Sequence, residues 1–396
     1  MKNQVSKSEN RTAEDSAAQN TTLRSEVILN RCHEQGFALV GVCDARPSDY
    51  GEQFRQWIAA GKHGEMAYLA RHMEMMIDPE KLLPGVKSII CVADRYHDGR
   101  ADRVVGGHLN PLPAAGRGQG EGSADPRNAR DARKGGRITL TPALSLAARE
   151  RGKNCDALPA AGKGRIARYA RGEDYHKVMK RRLNALASEL RREHSDHSFR
   201  VCVDTAPVME REHAQRAGLG AVGKHTLLIG PVGFGSWLLL GEILTTLPLE
   251  PTKKVSDTFF SGPGADPCGG CTRCIEACPT GAIEPWSVDA TKCISYLTIE
   301  HRSAIDEQFH RGLGDWIFGC DICQEVCPHN QPTRRAKRGP INPAYQSDRD
   351  SFDLLEVLHW TESDRRAAFT KSAMKRAKLE MMKRNAMIAM KNRRGS

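Results

Sequence analysis

Apolar residues Leu23, Val27, Ile28 and Cys32 recur at helical spacing and stop before Gly36, and the apolar run Phe37–Cys43 then predicts a buried strand. The alternation continues. Helical patterns over 54–60 and 65–75 lead to a strand at Val86–Ala93, and a helix over Tyr175–Leu190 leads to a strand at Phe199–Val203. Helix alternating with strand argues an α/β core in which helices cover a sheet. Thr226–Ile229 and Ser236–Leu240, separated by Gly230, Pro231, Gly233 and Gly235, predict a closing hairpin. From about 99 to 165 the pattern fails, and the Gly-, Ala-, Pro- and Arg-rich stretch nearly repeats itself, LPAAGRG at 112–118 and LPAAGKG at 158–164. We expect a low-complexity insert with no chemistry of its own. Phe352–Asn392 is again helical in pattern and predicts a small appendage of two or three helices.

The chain has 396 residues, more than one hydrophobic core usually holds, so two or three domains are expected. No apolar run approaches the roughly 18 residues of a membrane span, the best candidate near Trp237–Leu240 being cut by Glu242. Residues 1–26 are polar and lack a signal-peptide apolar segment, which predicts a disordered leader over 1–22 and a cytoplasmic protein. The net charge of +11 favours an anionic partner, and Arg365–Arg394 concentrates it, with eleven Lys or Arg against one acid, Glu380.

Thirteen cysteines in a reducing compartment point to metal ligation rather than disulfides. Cys268-x2-Cys271-x2-Cys274-x3-Cys278-Pro279 has the spacing of a bacterial-type ferredoxin site, and Cys320-x2-Cys323-x3-Cys327-Pro328 follows it one thiolate short. Cys293 supplies the eighth. The crossed pattern assigns Cys268, Cys271, Cys274 and Cys327 to one four-iron cluster and Cys278, Cys293, Cys320 and Cys323 to a second. Two tetrahedral zinc sites are the alternative, but they do not need this phasing. Cys32, Cys43, Cys91 and Cys202 sit singly in apolar segments and read as inert buried thiols, while Cys155 lies in the insert.

Three other segments are more polar than a plain core requires: Gly64–His72 (GEMAYLARH), Ile166–His176 (IARYARGEDYH) and Val203–Arg211 (VDTAPVMER). Arg71 in the first suits an acidic group or open solvent. In the second, Tyr169, Asp174 and His176 converge before a helix that Asp174 can cap. In the third, Asp204 ends a strand, where open α/β sheets bind ligands, although a turn role is the plain alternative.

Together with AGLG (217–220), GKHT (223–226), CISYLTIE (293–300) and both cysteine runs, these segments resemble the epoxyqueuosine reductase family over residues 23–98 and 165–392. The resemblance implies a cobalamin-binding α/β domain of nitroreductase-like type over 23–247, interrupted by the insert. A ferredoxin-like domain with two 4Fe-4S clusters follows over 248–335, then a short, basic, HEAT-like helical part over 336–396. It implies an oxidoreductase that reduces epoxyqueuosine to queuosine at wobble position 34 of tRNA with a GUN-type anticodon. An external electron donor feeds a monomeric enzyme. Asp204 becomes the expected catalytic acid, with burial raising its pKa. Arg71, Tyr169, Asp174, His176, Asp204, Leu228 and Ser295 are expected around cobalamin, and Arg302, Lys383 and Arg384 at the tRNA. Asp174-x-His176 lacks the following glycine of cobalt-ligating Asp-x-His-x-x-Gly motifs, so no lower histidine ligand is expected. A cobalamin-dependent reductive dehalogenase, a ferredoxin-type carrier and a cobalamin-handling protein are the competing readings.

Overall fold

In the computed structural model, which describes residues 24–99, 162–252, 266–331 and 340–394, the first helix covers 24–34 and Gly36 leaves it with φ +81°. That left-handed exit, open to glycine without cost, turns the chain into strand β1, Leu39–Asp44. The leader, most of the insert and Cys155 lie outside the described residues.

β1 pairs antiparallel with β2, Ser88–Arg95. Further along come β3, Lys163–Ile166; β4, Phe199–Cys202; β5, Ala221–Val222; β6, Leu228–Ile229; and β7, Leu238–Thr245. β7 lies between β2 and β4 and is antiparallel to both, giving the sheet order β1-β2-β7-β4. Both faces of this sheet are covered, which is why its central strands read as unbroken apolar runs. Ile90, Val92 and Ile243 face the helix 24–34 and the long helix Tyr175–Glu193, packing with Val178, Met179, Leu183 and Leu186. Ile89, Cys91 and Leu244 face the other way, toward Ala214 of the helix Glu210–Arg216. Cys32, Cys43, Cys91 and Cys202 are buried in these two layers. Burial pushes the Cys32 and Cys202 thiols up to about 12, the state of inert thiols.

Two expectations need correction. The hairpin joining Thr226–Ile229 to Ser236–Leu240 does not form: β6 pairs with β5, and β7 crosses to the centre of the main sheet. The 230–235 turn exists, closed by the Gly230 amide on the Gly235 carbonyl at 2.8 Å. β7 is apolar on both faces, however, and burial between β2 and β4 outweighs local pairing. The insert also ends earlier than residue 165. Lys163–Ile166 is the central strand of a second sheet, parallel to β10, Trp316–Phe318, and antiparallel to β11, Ser351–Asp353. Its partners lie about 150 and 190 residues away, so no local pattern announces it.

Short helices Arg273–Glu276 and Ile322–Glu325 carry Cys274 and Cys323, and the hairpin of β8, Ile283–Glu284, and β9, Ser287–Val288, lies between them in sequence. Helices Leu354–His359, Glu362–Ala368 and Leu379–Arg394 bury Leu354, Phe369, Met382 and Ala386 against Ile166 and Phe318. The C-terminal helices therefore share a core with the cysteine-bearing region. Among the described residues no helix is long and apolar enough to cross a membrane.

Leu183, fully buried between the long helix and the sheet, tests this packing. Leu183→Ala is expected to cost about 2–5 kcal/mol of unfolding free energy, read as a lowered denaturant midpoint. A loss below roughly 0.5 kcal/mol would be surface behaviour and would contradict the packing.

Candidate active site

β4 ends at Cys202, and two residues later Asp204 adopts φ +49°, a left-handed conformation uncommon outside glycine. The turn places its carboxylate against the first turn of Tyr175–Glu193, where Asp204 Oδ2 lies 2.8 Å from His176 Nε2. His176 Nδ1 lies 2.8 Å from Asp174 Oδ1, and the same oxygen accepts the His176 amide at 3.2 Å. Asp174 thus caps the helix and fixes the imidazole together. The Tyr175 ring stacks on His176 with centroids 4.0 Å apart, and Tyr169 meets Tyr175 edge-on at 6.0 Å.

Burial alone would raise the Asp204 pKa, but the hydrogen bond and charge of His176, followed by the Arg376 charge, hold it below the ordinary carboxylate value. Burial likewise works to lower His176, but the bonds and charges of Asp204 and Asp174 outweigh it and hold the imidazole above its ordinary value. The expectation of a raised Asp204 is therefore reversed. In this arrangement the mobile proton rests on His176, hydrogen-bonded to an ionised Asp204.

These groups line one wall of a cavity of about 610 Å³. Cys278, Cys293, Cys320 and Cys323 line another part of it; the other four cysteines of the two runs do not. Tyr169, Leu228 and Ser295 line it too. Arg71 does not: it is exposed at the end of helix Ala67–Arg71. Arg302 is exposed, its amide donating to Glu65 Oε2 at 2.7 Å, and Lys383 is half-buried. Arg384 needs correction as a phosphate contact. Its guanidinium donates to the carbonyls of Leu297 (2.7 Å), His301 (2.8 Å) and Ser303 and to Asn385 Oδ1. All five donors are spent inside the protein, clamping the 297–303 turn, and burial lowers its pKa to about 10.

Four groups on the cavity wall were not singled out from sequence. Arg376, from the basic tail, pairs with Glu300 at 2.7 Å and reaches the Tyr68 hydroxyl at 3.5 Å. Glu210 accepts the Asp204 amide at 3.3 Å. Arg211 donates to the Thr226 carbonyl at 2.6 Å, and Thr226, like Asp204, has positive φ. The neutral imidazole of His225, lowered to about 4 chiefly by burial, presents a buried Nε2 with no hydrogen-bond partner. Their sequence signals are weak: Glu210 and Arg211 end the polar segment Val203–Arg211, His225 lies in GKHT, and Arg376 in the basic tail.

The two cysteine sets differ in surroundings. Cys327 is near Cys268, Cys274 and Cys271, Cys320 near Cys323 and Cys293, and Cys293 near Cys278, while Cys323 is influenced by Cys293 and Cys278 and also by Cys274 of the other set. Backbone amides of Lys224 and Ala282 donate to Cys268 Sγ and Cys278 Sγ, both at 3.3 Å, the type of bond that stabilises cluster thiolates. Among the described residues no three potential ligands converge on a single-ion site, whereas tetrahedral zinc gathers its sulfurs to about 4 Å from one another. The donor set fits clusters. The cavity, walled by Leu228, Phe318 and the tyrosines and carrying the orphan His225 Nε2, also fits a large, mainly apolar cofactor with polar edge groups.

Two family models match the chain: one described as epoxyqueuosine reductase QueG, DUF1730, over residues 144–205, and a 4Fe-4S double cluster binding domain over 267–330. An epoxyqueuosine reductase of Burkholderia pseudomallei (strain K96243) is 37% identical over 361 residues, covering 91% of this chain and 79% of the relative. One of Leadbetterella byssophila is 33% identical over 368 residues, covering 91% and 96%. The structure of epoxyqueuosine reductase from Streptococcus thermophilus matches with a TM-score of 0.67 at 26% identity, covering 92% of this chain and 80% of that one. An epoxyqueuosine reductase solved with a tRNA-Tyr epoxyqueuosine-modified tRNA stem loop has the same fold at TM-score 0.68 and 24% identity, covering 93% and 80%.

The His176–Asp204 pair predicts a signed pH dependence. The raised His176 adds stability that is full below the unfolded imidazole pKa of about 6.5 and is lost as pH rises through the folded value. The lowered Asp204 adds stability above the unfolded carboxylate pKa of about 4, lost on acidification. His176→Gln is accordingly expected to destabilise most between about pH 4 and 6.5 and least in alkali. Unfolding midpoints measured across pH check this; a pH-independent difference would refute the pairing.

Proposed function

We infer that this chain, which belongs to the epoxyqueuosine reductase family, reduces epoxyqueuosine to queuosine at the wobble position of tRNA, completing queuosine synthesis. The observation that carries the reading is one cavity with a proton-holding His176–Asp204 pair and four cysteines of the double-cluster region on its walls. Converting an epoxide to an alkene and water consumes two electrons and two protons. Electrons of that potential must come through the clusters, because no side chain supplies them.

We assign Cys268, Cys271, Cys274 and Cys327 to one cluster and Cys278, Cys293, Cys320 and Cys323 to the other. Cobalamin, when bound, supplies a low-potential metal nucleophile for the epoxide carbon. Tyr169, Leu228, Ser295 and His225 would hold it within the nitroreductase-like 23–247 part, while Arg71 is exposed beside that part. Asp204 orients the His176 imidazolium and passes its proton to the opening epoxide oxygen. The aromatic wall of Tyr169, Tyr175 and Phe318 excludes water that would otherwise compete for that proton. Arg302 and Lys383, with the rest of the basic, HEAT-like 336–396 part, would contact phosphates of a tRNA whose target base is extruded into the cavity. An external one-electron donor completes the cycle.

The test is anaerobic reconstitution with iron, sulfide and cobalamin, followed by mass spectrometry of nucleosides from epoxyqueuosine-bearing tRNA. Wild-type protein is expected to yield queuosine, and Asp204→Asn to lose at least about a hundredfold in rate while retaining cobalamin. Full activity in that variant would remove Asp204 from the mechanism. Cys323→Ala is expected to drop bound iron from about eight to about four per chain. Unchanged iron would overturn the ligand assignment.

A further inference from the structure

The two protons of the reduction need two holders, and the His176–Asp204 pair accounts for one. Asp204, Glu210, Glu300 and Asp321 are the carboxylic residues of the cavity wall. Three of them have a cation in direct contact: Asp204 lies 2.8 Å from His176, Glu300 2.7 Å from Arg376, and Asp321 3.2 Å from Arg168. Glu210 has no ion pair among the described residues. Its carboxylate instead accepts the Asp204 amide at 3.3 Å, placing it beside the residue that releases the first proton.

We propose that Glu210 holds the second proton of the reduction and delivers it into the cavity. This deepens the proposed reductase function and rests on it. The surroundings keep Glu210 neutral. Its carboxyl is half-buried and faces Asp204 on the loop after β4 and Glu242 on β7, with Tyr175 nearby from the long helix. The one opposing charge comes from its neighbour Arg211, whose guanidinium is engaged with the Thr226 carbonyl and hydroxyl. Burial, then the two negative neighbours, push Glu210 up to about 8, so near pH 7 it is mostly the acid.

The balance is complete with Glu210 in this role. Both C–O bonds of the epoxide break, a C=C bond forms, and two O–H bonds form on the departing oxygen. Two electrons enter from the external one-electron donor through the clusters. His176, through Asp204, gives the first proton as the ring opens and is left neutral, unable to give another at once. Glu210 gives the second as the oxygen leaves as water, and is left as a carboxylate to be reprotonated from solvent.

Infrared difference spectra of the protein alone, titrated between about pH 6 and 10, are expected to show a protonated-carboxyl band that vanishes with a midpoint of about 8 and is missing from Glu210→Gln. In turnover with epoxyqueuosine-bearing tRNA stem loop, wild-type kcat should fall above that midpoint. E210Q should lose about tenfold to hundredfold in kcat near pH 7, with KM unchanged and no such fall. Glu210→Asp, which keeps an acid at shorter reach, should fall between the two and serves if E210Q does not fold. A band that survives in E210Q, or an E210Q enzyme with the wild-type rate and profile, overturns the role of Glu210. A wild-type protein that shows the band but makes no queuosine overturns the reductase reading, and the proton delivery falls with it.

Discussion

The buried Arg168 guanidinium joins parts of the molecule that share no local sequence. It contacts Asp321 at 3.2 Å and Glu325 at 2.7 Å, lies over the Trp237 ring at 5.2 Å, and the Arg168 amide donates to Asp321 at 2.8 Å. Trp237 leads into β7 of the main sheet, Asp321 lies between Cys320 and Cys323, and the next residue after Arg168 is the cavity tyrosine Tyr169. Only 6% of the arginine side chain and 1% of the Asp321 side chain are exposed. Removing one partner would strand a buried charge at a cost of about 3–5 kcal/mol. The distance between the acid wall and the thiol wall of the cavity is thus set by a contact with no chemical part in the reaction.

That division of labour runs through the site. Arg384 spends every donor inside the protein, Arg376 neutralises Glu300, and Asp174 serves at once as helix cap and imidazole support. The wall combines paired charges with the neutral His225. Backbone strain is concentrated there as well: Asp204 and Thr226 are two of the four non-glycine residues with positive φ among those described.

The parts legible in the sequence are those whose physics is local. Ligand spacing in the cysteine runs follows from the short reach of a thiolate around a cluster, and Asp204 was marked by the end of an apolar strand. The main-sheet strands announced themselves by burial on both faces. What escaped depends on distant partners. β3 has one apolar residue, Ile166, with which to advertise a central position, and it adjoins a low-complexity repeat that hides it. The hairpin expected after Thr226 failed because β7 finds better burial in the main sheet. A basic tail looks the same whether an arginine reaches solvent, as charge counting suggests, or folds back to a cavity, as Arg376 does. The direction of the Asp204 shift was equally hidden, since it depends on an imidazole 28 positions away.

The position of β3 has a topological consequence. Residue 99 follows β2, which is held on both sides by β1 and β7, and residue 162 precedes β3, which is held on both sides by β10 and β11. The strands on either side of the intervening 62 residues are therefore each fastened by hydrogen bonds to other parts of the fold. A chain opened within that stretch would leave two pieces that meet along the β2–β7 pairing of the main sheet, the arrangement from which complementing fragments and tolerated insertions arise.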